Sequence, residues 1–75
     1  MEKLLSIINY IRANKGREPL THLQAQMDLR QDTGLNSLDL AELTVRIESA
    51  FGVDIFAEGI ISTVGEILEK INTHP

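Results

Sequence analysis

Chemistry has few places to reside in this 75-residue chain. It contains no cysteine, so it offers no disulfide, thiolate metal site or catalytic thiol. His22 and His74 stand far apart with no ligand cluster around them, and no metal site is expected. Asp28 to Asp32 lacks the D-x-D-x-D-G spacing and closing Glu of a calcium loop. One hydroxyl is presented where a loop becomes a helix. In Gly34-Leu35-Asn36-Ser37-Leu38-Asp39-Leu40 a turn runs into a strongly periodic segment, with Ser37 at the junction. The first turn of a helix has unpaired N–H groups and about half a positive charge. An anion tethered there at an exposed site gains ~0.3–1 kcal/mol, so a phosphate ester on Ser37 would be well placed. A Ser at this position also serves as an ordinary cap or first-turn residue, and the residues alone leave both readings open. The stretch is not the G-x-S-x-G elbow of serine hydrolases. The chain is too short for that fold and lacks an Asp/His pair, so no catalytic residue and no enzyme is expected.

The element that must hold Ser37 is a helix. Leu40, Leu43, Ile47 and Ala50, with Phe51 beside Ile47, form one apolar stripe at helical period. Asn36 suits the N-cap, Asp39 three residues later gives a variant of the capping box, and Gly52 suits the stop. A second, narrower apolar line, Leu38, Ala41 and Val45, lies among Asp39, Glu42, Arg46 and Glu48. It reads either as scattered surface apolars or as a docking face for a partner.

Around this helix the periodicity predicts two more. The first runs from about Glu2 to Asn14, with Leu4, Ile7, Ile8 and Ile11 inward and Leu5 on the flank. Arg12 and Lys15 complement its negative end, Gly16 stops it, and Tyr10 reads as a half-buried packing residue. The last runs from about Val64 to Asn72 behind the capping box Thr63-Val64-Gly65-Glu66, with Val64, Ile67, Leu68 and Ile71 inward and a frayed end at Thr73-His74-Pro75. Between the first two helices, residues 17 to 35 are too long for a structureless loop in so small a domain. Leu20, Leu23, Met27, Leu29 and Leu35 are the candidates to pin it, and Leu20, Leu23 and Met27 could form one or two helical turns. After Gly52, Val53 and Ile55 are expected to plug the core, and Ala57 to Ile61 to form a helical turn weakened by Gly59. The predicted core is Leu4, Ile8, Ile11, Leu40, Leu43, Ile47, Val64, Ile67, Leu68 and Ile71.

Composition narrows the partners. Residues 1–31 carry five Lys/Arg against three Asp/Glu, residues 32–75 two against eight, within a net charge of −4. A phosphate-binding face should be basic, so nucleic acid is not expected. Basic protein partners are, steered by complementary charge; a solvated acidic face is the bland alternative. No signal core or membrane-length apolar run is present, and we expect a cytoplasmic protein without stable membrane insertion. The opening Met1-Glu2-Lys3 suggests a free-standing protein, residues 1–75 one domain, and nothing suggests an obligate dimer.

The run Gly34-Leu35-Asn36-Ser37-Leu38-Asp39-Leu40, followed by Glu42-Leu43 and later Phe51-Gly52-Val53-Asp54-Ile55, resembles the acyl carrier protein family over nearly the whole chain. The resemblance implies an all-α fold: a small bundle of three main helices plus one short helix, four in all, with a long ordered loop between the first and second. It implies a 4′-phosphopantetheine arm on Ser37, installed from coenzyme A by a phosphopantetheinyl transferase. The arm's thiol would hold acyl or aminoacyl groups as thioesters and present them to a loading ligase and a downstream synthase or transferase. Ile47, Ile55, Ile61 and Leu68 would line the seam that takes the acyl chain, while Leu38, Asp39, Glu42, Val45, Arg46 and Glu48 would meet partners.

The chain also departs from the family pattern. The residue before the modified Ser is usually Asp and here is Asn36; Arg46, Ser49 and Ala50 stand where small or acidic residues are usual; Phe56 stands where Pro or an acid is common. These departures point to a specialised carrier rather than the central fatty-acid carrier. Fatty-acid-like, polyketide, peptide, and surface lipid or polysaccharide synthesis all remain open settings. The competing reading is a degenerate carrier that only docks through the Ser-bearing helix and would survive Ser37→Ala.

Overall fold

Three helices form where the apolar periodicity and the cap signals coincide. The computed structural model describes residues 2–57 and 59–73. Within these, α1 spans Glu2–Asn14, α2 Ser37–Phe51 and α3 Val64–Thr73. The all-α class holds. The fourth, short helix does not form among the described residues: 55–57 make a turn instead. Asp54 starts the turn, its carboxylate accepting the amide of Phe56 (3.0 Å) and its carbonyl that of Ala57 (3.3 Å). Gly59 at φ 134° departs from helical geometry and the turn goes no further. Glu58 and the frayed end expected at His74 and Pro75 lie outside the described residues.

α1 buries Leu4, Ile8 and Ile11, and α2 buries Leu40, Leu43 and Ile47. The two pack antiparallel, as contacts at both ends show. Lys3 near the start of α1 lies over the Phe51 ring at the end of α2 (5.2 Å). Lys15, just past α1, pairs with Asp39 in the first turn of α2. Gly52 closes α2 in the left-handed conformation, its amide bonded to the Glu48 carbonyl (2.8 Å). Val53 and Ile55 then turn inward and are buried, as anticipated.

The long loop is ordered by burial and by hydrogen bonds. Leu23, Leu29 and Leu35 are buried, with Leu20 and Met27 packed at the edge. The helical turns anticipated at Leu20 to Met27 are absent; that segment is irregular with a turn at 25–26. Its polar groups go elsewhere. The Asn9 side chain both donates to the Leu20 carbonyl (2.9 Å) and accepts from its amide (2.7 Å). Arg12 and Lys15 do not merely complement the end of α1; they reach across to the loop. Arg12 donates to the carbonyls of Glu18 and Thr33, and Lys15 to that of Gly34.

α3 attaches through this loop. An antiparallel bridge joins Asp28 and Thr63, with Leu29 N–H on the Ser62 carbonyl (2.8 Å) and Val64 N–H on that of Met27 (3.0 Å). Gly65 N–H meets the Ala25 carbonyl at 2.8 Å. A side chain at position 65 would place its Cβ 3.0 Å from that same oxygen, so the approach needs glycine. Thr63 and Glu66 cap α3 reciprocally, and Glu66 also accepts the Ser62 amide. These amides hold the Glu66 carboxyl below its usual range. Val64 and Ile67 are fully buried and Leu68 and Ile71 half-buried, which completes the predicted core.

Candidate functional site

Ser37 is the first residue of α2 and is exposed. Its position follows from the cap. Asn36 is extended (φ −97°, ψ −177°); its side-chain oxygen accepts the Asp39 amide (2.9 Å), and the Asp39 carboxylate accepts the Asn36 amide (3.0 Å). This is a complete capping box. The hydroxyl of Ser37 takes no part in it.

Asp39 had been read as part of the partner surface, but it is buried, only 8% exposed. Besides the cap it accepts a hydrogen bond from Lys15 Nζ. The Asn36 amide first, and Lys15 second, hold its carboxyl below the ordinary range against a smaller opposing effect of burial. Lys15 and Asp39 thus fix where α2 begins relative to α1, and so where Ser37 sits.

One cation approaches the hydroxyl: Arg30 Nη2 donates to Ser37 Oγ at 3.0 Å. Arg30 rides on a turn built by two carboxylates. Asp28 accepts the amides of Arg30 (2.7 Å) and Gln31 (2.8 Å), while Asp32 accepts that of Asp28 (2.6 Å). The Gln31 and Arg30 amides draw the Asp28 carboxyl below its usual range. The residues that failed as a calcium loop are therefore a scaffold for Arg30. Buried Thr33, bonded to the Leu29 carbonyl, closes the turn from inside.

Ser37, Arg30 and Asp28 line a cleft of about 380 Å³ together with Leu29, Leu40, Thr44, Phe56 and Ile61. Exposed Ile60 also lines it. Of the four residues anticipated along the seam, Ile61 lines this cleft. Ile47 and Ile55 are sealed in the core, and Leu68 is half-buried elsewhere.

On the outer face of α2, Leu38 (79% exposed) and Val45 (66%) align with exposed Ala41 and Glu48 at helical spacing. Glu42 and Arg46 are half-buried beside that line and paired with each other (2.8 Å), which raises the Arg46 pKa. Arg46 also covers the ring of Tyr10 at 4.2 Å. Tyr10 is 52% exposed, so its role is to carry this cation rather than to fill the core.

Sequence reasoning missed Arg30, Phe56 and Ile60. Nothing local marks them. The Asp28/Asp32 spacing signals a turn, but not that the turn folds back onto Ser37. Among the described residues no group of three or more His, Cys, Asp or Glu could hold a metal ion, and no helix is long and apolar enough to cross a membrane.

The donor set suits a phosphate ester: a free hydroxyl, a guanidinium beside it, and first-turn amides at Ser37 and Leu38 with no intrahelical acceptor. Comparison with known proteins agrees with that chemistry. The family profile described as "Phosphopantetheine attachment site" matches residues 7–71. An acyl carrier protein of Rubrobacter xylanophilus is 32% identical over 97% of this chain and 93% of its own length. An acyl carrier protein of Saccharopolyspora erythraea is 30% identical over 91% of this chain and 74% of its own.

Proposed function

Because this chain belongs to the acyl carrier protein family, whose cofactor is phosphopantetheine and whose members carry rather than catalyse, we propose that Ser37 is the residue that bears its arm. The observation that carries this assignment is the exposed Ser37 hydroxyl at the start of α2, outside the cap's hydrogen bonds and lining an apolar cleft. When attached, the arm supplies a thiol, absent from the chain itself, on which acyl or aminoacyl groups are held as thioesters.

The chain's own residues then do three things. Lys15, Asp39 and Asn36 set the position and direction of Ser37. The cleft, with Ala41, Phe56 and Ile60 over buried Leu29, Leu40 and Ile61, offers apolar cover to the arm or to a short cargo, at ~0.8 kcal/mol per methylene buried. Ile47 and Ile55, sealed in the core, would receive a longer chain only if α2 and the 53–57 segment moved apart.

The exposed line Leu38, Val45 and Glu48 is the face offered to partners: a phosphopantetheinyl transferase, a loading ligase and a downstream synthase or transferase. Glu42 and Arg46 edge it as a paired couple. Asp39 leaves this set for the positioning set. Asn36, neutral beside the attachment point, and a half-buried Arg46 within the face support a specialised carrier; a cytoplasmic monomer remains part of the same proposal. Its pathway could be fatty-acid-like, polyketide, peptide, or surface lipid or polysaccharide synthesis.

Intact mass after incubation with coenzyme A, magnesium and a broad-specificity transferase tests the assignment. One phosphopantetheine is expected on the wild type, none on Ser37→Ala, and one on Ser49→Ala. Loading of Ser37→Ala would move the site. No loading of the wild type by several transferases would favour the docking module.

A further inference from the structure

We propose that Arg30 is the residue that takes hold of the arm's phosphodiester and keeps the root of the arm on the cleft side of α2. This rests on Ser37 being the attachment residue, and goes beyond it by assigning a second residue, seven positions away in the loop, to the same phosphate.

Arg30 is spent differently from its neighbours. Arg12 satisfies the carbonyls of Glu18 and Thr33. Lys15 pairs with Asp39, and Arg46 with Glu42. Arg30 instead offers its guanidinium to a neutral hydroxyl, Ser37 Oγ, at 3.0 Å. Among the described residues no carboxylate forms an ion pair with it. Asp28 and Asp32 each stand two residues away: Asp28 Oδ1 accepts the amides of Arg30 and Gln31, and Asp32 Oδ2 accepts that of Asp28, so Asp28, which also lines the cleft, attracts Arg30 through its charge without a direct ion pair.

The guanidinium is presented from a fixed base. Arg30 N–H is held by Asp28 and its carbonyl by the Gly34 amide (3.1 Å). The preceding Leu29 is fully buried and bonded to Ser62 across the bridge to α3. A phosphorus bonded to Ser37 Oγ lies one bond beyond the atom that Arg30 already reaches. Its two free oxygens carry a full negative charge, which a planar guanidinium matches through two donors. Modification would thus turn a hydrogen bond between a cation and a neutral hydroxyl into an ion pair. Arg30, Ser37, Leu40 and Ile61 line the same cleft, so a phosphate held by Arg30 would keep the root of the arm beside it.

The test uses the loaded protein. Wild type, Arg30→Gln and Arg30→Lys are each converted and checked by intact mass. If the wild type does not load, the carrier reading fails, and that result is distinct from any outcome below. On loaded samples, the ³¹P resonance and the Arg30 side-chain Nε–H are recorded. Loading should slow exchange of the wild-type Nε–H with water several-fold relative to the unloaded protein. The wild-type ³¹P resonance should differ from that of Arg30→Gln and move towards it as salt is raised, with Arg30→Lys between the two. A fully loaded wild type whose ³¹P resonance matches that of Arg30→Gln, with Nε–H exchange unchanged from the unloaded form, would overturn the proposal. Should Arg30→Gln not fold, the wild-type comparison before and after loading decides alone.

Discussion

Replacing Asp39 by Ala removes three interactions at once. The Asn36 amide loses its acceptor, Lys15 loses its partner, and the first turn of α2 loses an anion. A hydrogen bond to a charged group contributes about 1.5–3 kcal/mol, and the helix-end charge about 0.3–1 kcal/mol. Part of this overlaps, since Lys15 keeps the Gly34 carbonyl. A loss of about 2–3 kcal/mol is therefore expected, against a total of about 3–5 kcal/mol for a chain this small. Asp39→Asn retains an acceptor for the cap and should lose only about 1 kcal/mol. Urea unfolding of the unloaded proteins measures both. The pH dependence has a definite sign. The folded pKa of Asp39 is lowered, so its stabilisation is present above the unfolded value of about 3.9 and lost as pH falls through the folded one. The gap between wild type and Asp39→Ala should thus be full at neutral pH and narrow below about pH 4. A gap under about 0.5 kcal/mol that does not change with pH would refute this role. If loading were impaired at the same time, Asp39 would return to the recognition surface.

Other perturbations separate the faces of α2 and α3. Leu38→Ala should leave stability within about 0.5 kcal/mol, because the side chain is 79% exposed, yet slow loading by the cognate ligase. Glu48→Lys should reduce the rate of encounter with a basic partner at low salt more than Glu42→Lys does, since Glu42 already faces Arg46; stopped-flow association at two ionic strengths reads this. Ile47→Ala removes a side chain with no exposed surface and should cost about 2–5 kcal/mol, enough to unfold most of the population by circular dichroism. Gly65→Ala gains about 1 kcal/mol of helix propensity but drives a Cβ to within 3.0 Å of the Ala25 carbonyl. A net lowering of the melting temperature is expected.

What could be read in advance was what is encoded locally. Both capping boxes, the α2 stripe and the Gly52 stop depend on residues three or four apart, and all formed. The burial of Asp39 was not legible, because its partner Lys15 comes from the far side of a long loop. Arg30 was hidden for the same reason. Its role depends on a turn folding back over α2, which no periodicity reports. The absent fourth helix was half legible: Gly59, expected to weaken that turn, takes φ 134° and leaves helical geometry. Tyr10, expected to be half-buried, is 52% exposed and carries Arg46 over its ring, a cross-helix pairing that its own sequence neighbourhood does not report.

The bridge between the loop and α3 has a consequence for how the molecule breathes. The amides of Leu29, Val64 and Gly65 are the backbone donors that tie those two segments together. They break together if α3 lifts. In hydrogen exchange the three should share one opening free energy, lower than that of the amides inside α2. Since Leu29 and Ile61 on either side of this bridge also wall the cleft, the same three protons would clock the opening of its floor.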